Sequence, residues 1–204
     1  MAISIESTHL LPEIFQSGSS RTGGQGFDWL IAAESTRHGG VGRPPYESLN
    51  LGLFTDDDPE AVAINRQRFF RDIGAGSMQV AGAYQVHGSE ILQITKPGQF
   101  KGYDALITDQ PGLLLTVTVA DCTPVLLADP QNRAVAAVHA GWRGTVAGIA
   151  KKTLEAMQET FGTDPAVPLF FHARLLHPLN HSQRFPVSNL KRLLRLIHIE
   201  DIEL

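Results

Sequence analysis

The residues that could do chemistry are one thiol and two imidazoles. Cys122, the only cysteine among 204 residues, lies in Val119-Ala-Asp-Cys-Thr-Pro124. Gln85-Val-His-Gly88 precedes it and Val138-His-Ala-Gly-Trp-Arg-Gly144 follows it. Taken singly, Cys122 reads as a small buried hydrophobe, and His87 and His139 as residues satisfied by backbone. Taken together, Cys, His and His in turns marked by glycine or proline are a soft-to-borderline donor set suited to zinc or copper. Their long separations argue against a finger or ribbon, whose ligands come in local pairs. Three protein ligands with a fourth position open is the pattern of a catalytic zinc. Such an ion lowers the pKa of bound water to about 7 and polarises a bound electrophile. A second reading makes Cys122 a thiolate nucleophile with His139 or His87 as its base. The residues alone leave ligand and nucleophile both open.

Other side chains surround this set in the sequence. Arg37 in Thr36-Arg-His-Gly-Gly40 and Arg143 in Gly141-Trp-Arg-Gly144 are arginines in glycine-bearing loops, suited to bidentate binding of phosphate or carboxylate, or else solvated. Asp121 either orients a ligand histidine or caps a turn. Trp142 reads equally as core or as a stacking platform. Asp56-Asp-Asp58 does not fit a calcium loop and reads as a solvated helix start. His172, His177 and His181 sit in irregular sequence and read as an exposed segment rather than a metal cluster.

The elements that must position these residues are short. Phe27–Ala33 reads as a strand leading into the glycine-rich loop Ser35–Pro45. A helix starts with Asp58 as N-cap, Pro59 at its first position and Glu60 at its positive end. Val62, Phe69 and Ile73 form its apolar stripe, and Gly74 ends it. Strands follow at Ala83–Gly88, Glu90–Thr95, Tyr103–Thr108, Leu113–Val119, Pro124–Ala128 and Arg133–His139. A helix capped by Thr145 then runs to Phe161, with Val146, Ile149, Leu154, Met157 and Phe161 at helical spacing. Beyond Asp164 the pattern dissolves until a basic-faced helix over Leu190–Ile197.

Composition bounds the partners. An apolar share of 43%, a charged share of 19% and a net charge of −4 describe an ordinary globular chain with no basic footprint for nucleic acid. The N-terminus lacks the pattern of a signal peptide, and the longest apolar run, Gly112–Ala120, is too short to span a bilayer. A free thiol without an export signal fits a reducing cytoplasm.

Several motifs in order resemble the laccase-domain proteins, also called the multicopper polyphenol oxidoreductase or purine nucleoside phosphorylase family. They are Ser35-Thr-Arg-His-Gly-Gly-Val41, Tyr46–Gly52, Asp57–Val62 with Asn65-Arg66, Gln85–Gly88, Asp104–Thr108, Ala120–Asp129 and Ala137–Gly144. The resemblance implies an α+β fold, a single domain over residues 1–204 built as a four-layer α/β/β/α sandwich with mixed sheets. It implies a metal, zinc or else copper, on His87, Cys122 and His139, which would also be the catalytic residues. Arg37, Arg143 and Asn50 are the candidate substrate contacts.

The implied activity is phosphorolysis of adenosine, inosine and methylthioadenosine, with adenosine deamination as a companion. Purine nucleosides and phosphate are then the partners. Alternatives are a copper-dependent polyphenol oxidase, and a cysteine hydrolase or peptidoglycan editing factor using Cys122. True multicopper oxidation needs more coppers than one cysteine and two histidines can hold. The departure from the family falls in 165–204: Pro168–Pro178 stands where a Gly-Pro-x-Ile turn belongs. This points to a deletion, a shifted frame or a truncation, and makes a non-catalytic binding module the rival from another class.

Overall fold

The computed structural model describes residues 29–166 and 170–173. It divides the chain into two compact units, Met1–Met78 and Gln79–Leu204. The fold is α+β with two sheets and few helices.

In the first unit, α1 (Pro59–Asp72) begins as its sequence predicts. The Asp58 carboxylate accepts from the Glu60 N–H at 3.0 Å and Pro59 occupies the first turn. Ala61, Val62 and Phe69 are buried, and so is Asn65 on the same stripe. Asn65 is buried because it fastens the glycine-rich loop: its Nδ2 donates to the carbonyls of Ser48 and Asn50, and its Oδ1 accepts from the Val41 N–H. The strand expected over Phe27–Ala33 is not found at 29–33. An extended apolar run becomes a strand only where a neighbour takes its backbone groups, and no described strand pairs with it.

Among the described residues the second unit carries eight strands. β1 (Gln79–Tyr84) lies between β3 (Gly98–Lys101) and β5 (Leu113–Thr116) in a three-stranded, all-parallel sheet. The five-stranded sheet is mixed. Its order runs β2 (Ile91–Gln93), β4 (Ala105–Thr108), β7 (Ala134–Ala140), β6 (Thr123–Asp129), β8 (Phe170–Ala173), with only β2 and β4 parallel. Every residue of β4 is buried because both faces are covered. Ala105 and Ile107 join Val125, Leu127, Ala136 and Val138 against Ile149 and Met157 of α3 (Ile149–Phe161). Leu106 faces the other way, packing with Ala81, Ala83, Ile94 and Leu113. Helix, large sheet and small sheet are thus three layers of this unit.

Several boundaries differ from expectation. The helix expected from Thr145 is two: α2 (Trp142–Val146) and α3, separated by Gly148 at φ +73°. Thr145 lies inside α2, donating to the Gly141 carbonyl at 3.0 Å, and Val146 is 83% exposed instead of core. The left-handed glycine turns the chain between them, which breaks the helical phase on which the apolar stripe relied. β5 stops at Thr116, and β3 is only four residues long, with Phe100 its one large apolar side chain, too short a run to mark a strand in the sequence. The basic-faced helix and the sequence of 174–204 lie outside the described residues.

Leu106 has no exposed surface and Leu53 is 45% exposed. Leu106→Ala is expected to destabilise by about 2–5 kcal/mol and Leu53→Ala by less than about 0.5 kcal/mol, read by urea unfolding. Equal midpoints for the two variants would contradict the assigned core.

Candidate metal centre

The register of β6 on β7 does most of the placing. Thr123 pairs with Ala140 and Pro124 with His139, so Cys122, one residue before β6, comes level with Gly141. Across β7, Ala105 pairs with Val138, and the His139 N–H donates to the Asp104 carbonyl at 2.7 Å. His87 arrives from the turn between β1 and β2. The candidate ligand atoms of His87, Cys122 and His139 all lie within 4.8 Å of one another. Among the described residues this is the one group of histidine, cysteine and carboxylate side chains so disposed.

The three are graded in exposure: His139 is buried, Cys122 half-buried and His87 exposed. The imidazoles of His87 and His139 meet edge to face, their centroids 4.8 Å apart. Gly141 backs the cluster. A β-carbon there would lie 3.0 Å from His87 Cδ2, 3.4 Å from Cys122 Sγ and 3.6 Å from His139 Cε1. Gly144 gives room of another kind, since a β-carbon there would stand 2.7 Å from the Gly88 carbonyl oxygen.

Behind the cluster lies Asp104, with no exposed surface. Its Oδ1 accepts from the His87 N–H at 2.9 Å and meets His139 Nδ1 at 2.7 Å. Its Oδ2 accepts from the Gly88 N–H at 2.8 Å and the Val86 N–H at 3.2 Å. Burial alone would push this carboxyl up. The bonds from His139, Gly88 and Val86, with the charge of His139, outweigh burial and hold it below the usual carboxylate value. An ionised carboxylate only accepts, so His139 carries its proton on Nδ1 and presents Nε2 as a lone pair.

Cys122 has the opposite setting. Burial pushes its thiol up, as do the carboxylates of Asp121, with Oδ1 3.8 Å from Sγ, and Asp104. The donor set fits zinc: nitrogen, nitrogen and thiolate, in a space that a single β-carbon would crowd. Zinc bonds of about 2.0–2.3 Å set ligand atoms roughly 3.3–3.7 Å apart, a modest closure from the present spacing.

Other residues singled out from the sequence have different surroundings. Asp121 is exposed and lies beside Cys122; the carboxylate that orients the histidine is Asp104. Arg143 is exposed, its Cζ 5.2 Å from the centroid of Trp142, which is itself 70% exposed and so not core. In the first unit, Arg37 donates through Nε and Nη2 to the Glu47 carbonyl. Asn50 is spent on its own loop: its amide donates to Thr55 Oγ1 and Asp57 Oδ2, and its oxygen accepts from the Gly52 N–H. The backbone of His172 lies in β8, while His177 and His181 fall outside the described residues.

The chain is a two-sheet α+β protein with a His-Cys-His group, able to hold a metal ion, at a strand end. It belongs to the multi-copper polyphenol oxidoreductase laccase family, whose pattern matches residues 31–172. A relative from Deinococcus radiodurans, named purine nucleoside phosphorylase, is 46% identical over 125 residues, which is 61% of this chain and 49% of that protein. The Escherichia coli purine nucleoside phosphorylase YfiH is 42% identical over 133 residues, or 64% and 54%. The crystal structure of YlmD from Geobacillus stearothermophilus superposes with a TM-score of 0.66 at 32% identity, covering 71% of this chain and 57% of that one. The chain thus spans about half the length of the curated relatives it matches.

Gly141 has φ −69° and ψ 165°, a conformation open to alanine, so Gly141→Ala tests space alone. The added methyl is expected to weaken zinc binding at least severalfold with the unfolding midpoint nearly unchanged, as read by chelator competition and urea unfolding. Unaltered zinc affinity would remove Gly141 from the site.

Proposed function

We propose that this protein is a zinc-dependent purine nucleoside phosphorylase. It would convert adenosine, inosine or methylthioadenosine and phosphate to the free base and the corresponding ribose 1-phosphate, with adenosine deamination as a companion activity. The observation that carries this reading is the His87, Cys122 and His139 group braced by Asp104, in a chain whose relatives bear phosphorylase names. Purine nucleosides and phosphate are its proposed partners and the cytoplasm its proposed location. No helix among the described residues is long and apolar enough to cross a membrane.

In phosphorolysis a phosphate oxygen bonds to the anomeric carbon as the bond to the purine nitrogen breaks. The purine leaves with the electron pair and takes up a proton. His87, Cys122 and His139 would hold the zinc, which would supply Lewis acidity at this place. The chain's own residues do the rest. Asp104 keeps the His139 proton on Nδ1, Gly141 keeps the space clear, and exposed His87 marks the solvent side of the group. Arg37 and Arg143 are the proposed cations for phosphate, each with guanidinium donors beyond those already described.

Two rival readings are weaker on physical grounds. A nucleophilic cysteine is activated in electropositive surroundings, whereas the Cys122 thiol is held up by burial first and then by the carboxylates of Asp121 and Asp104. Multicopper oxidation needs several metals, and the described residues contain one suitable group.

Because the thiol is held up, the metal-free protein keeps a proton on Cys122 at neutral pH, and ligation releases it. Zinc affinity is therefore expected to rise about tenfold per unit between roughly pH 7 and 8, measured by competition titration. A flat profile would exclude thiolate ligation. For activity, the protein is incubated with adenosine and phosphate and the products are separated by chromatography. Adenine with ribose 1-phosphate is the expected outcome, reduced about 100-fold or more by Cys122→Ala. Product no faster than with Cys122→Ala overturns the enzymatic reading.

A further inference from the structure

We infer that Asp104 is a positioning residue that presets both histidine ligands before any metal arrives. One carboxylate serves both of them through Oδ1, while its Oδ2 holds the residues on either side of His87. Oδ2 takes the N–H groups of Val86 and Gly88, and Oδ1 takes the His87 N–H and faces His139 Nδ1. His87 has φ +59°, in the left-handed region that a residue with a β-carbon seldom adopts. Three consecutive amides converging on one anion hold the turn in that shape. The same anion orients the ring of His139 and chooses its tautomer. The backbone of Asp104 completes the clamp, its N–H donating to the Glu90 carbonyl and its carbonyl accepting from His139 N–H. This inference deepens the metal-site reading above and rests on it.

The arrangement makes Asp104→Asn diagnostic, because an asparagine has one acceptor oxygen where two are needed. With its oxygen in the Oδ1 place, its NH2 points at the Val86 and Gly88 N–H groups, and donors oppose donors. With its oxygen in the Oδ2 place, its NH2 donates to His139 Nδ1, which must then be the acceptor. The ring proton moves to Nε2, and the lone pair that would hold a metal is lost. Either orientation spoils one histidine.

The test compares wild type, Asp104→Asn and Cys122→Ser by zinc competition with a chromophoric chelator. Long-range proton–nitrogen NMR of the imidazoles follows in metal-stripped protein. The expected result is zinc bound about 10–100-fold more weakly by Asp104→Asn. Metal-stripped wild type is expected to hold His139 with its proton on Nδ1 and to protect the His87 amide from exchange. A purely structural role would lower stability without moving the tautomer. The wild-type measurement needs no variant, so the inference stands or falls even if Asp104→Asn does not fold. Zinc affinity within twofold of wild type, or metal-stripped wild type with the His139 proton on Nε2, overturns it. If Cys122→Ser lowers zinc affinity while Asp104→Asn does not, only this inference fails. If neither does, the metal reading fails with it. Neither readout depends on nucleoside turnover.

Discussion

The structure around the candidate site depends on one buried negative charge. Taking a carboxylate out of water costs several kcal/mol unless donors replace the lost solvent. Asp104 is supplied with three amides and an imidazole, and each donor belongs to a segment carrying a metal-ligand candidate. A charge that must be satisfied therefore fixes the positions of the groups that satisfy it. The turn after β1 and the end of β7 cannot drift independently while both are bound to the same side chain. The cost of burial is offset by these hydrogen bonds, and order at the site follows from them.

Strand register transmits that order to Cys122, which Asp104 does not touch directly. Seven paired positions join β6 to β7, and a slip by one would send His139 to the opposite face and move Cys122 away from Gly141. Aliphatic packing against α3 holds the register, because Val125, Leu127, Ala136 and Val138 reach the helix only in one phase. The apolar core and the polar site are thus two faces of a single alignment. Small residues sit where the alignment brings chains too close for a side chain: Gly141 against the three candidate ligands, and Gly144 against the Gly88 carbonyl.

Much of this was legible in the sequence, for physical reasons that differ by residue. The start of α1 was readable because Asp58, Pro59 and Glu60 act locally, within one turn. His87, Cys122 and His139 were readable as a set because their chemistry is rare and each stands at a turn. Asp104 was not singled out. Its role depends on partners 17 and 35 residues away, and no local pattern records those. A signal was present all the same: an aspartate opening Ala-Leu-Ile, a strand buried along its whole length, must have a partner. The glycines after His139 read only as marks of a turn, whereas they make room for neighbours distant in sequence. The break at Gly148 escaped because an apolar pattern of period 3.6 continues across a single left-handed residue without visible interruption.

The separations within the group have a consequence for how the molecule folds. In a zinc finger the ligands are near neighbours, and metal can organise a chain that has no other structure. Here His87 and His139 reach Asp104 across 17 and 35 residues of chain, so closing those loops must precede the site. The contacts that close them are the pairing of β4 with β7 and the packing of α3, none of which contains a metal donor other than His139. Fold formation comes first, and an ion entering afterwards would stabilise by mass action alone, with the logarithm of its free concentration. The centre is a product of the tertiary structure and not its seed.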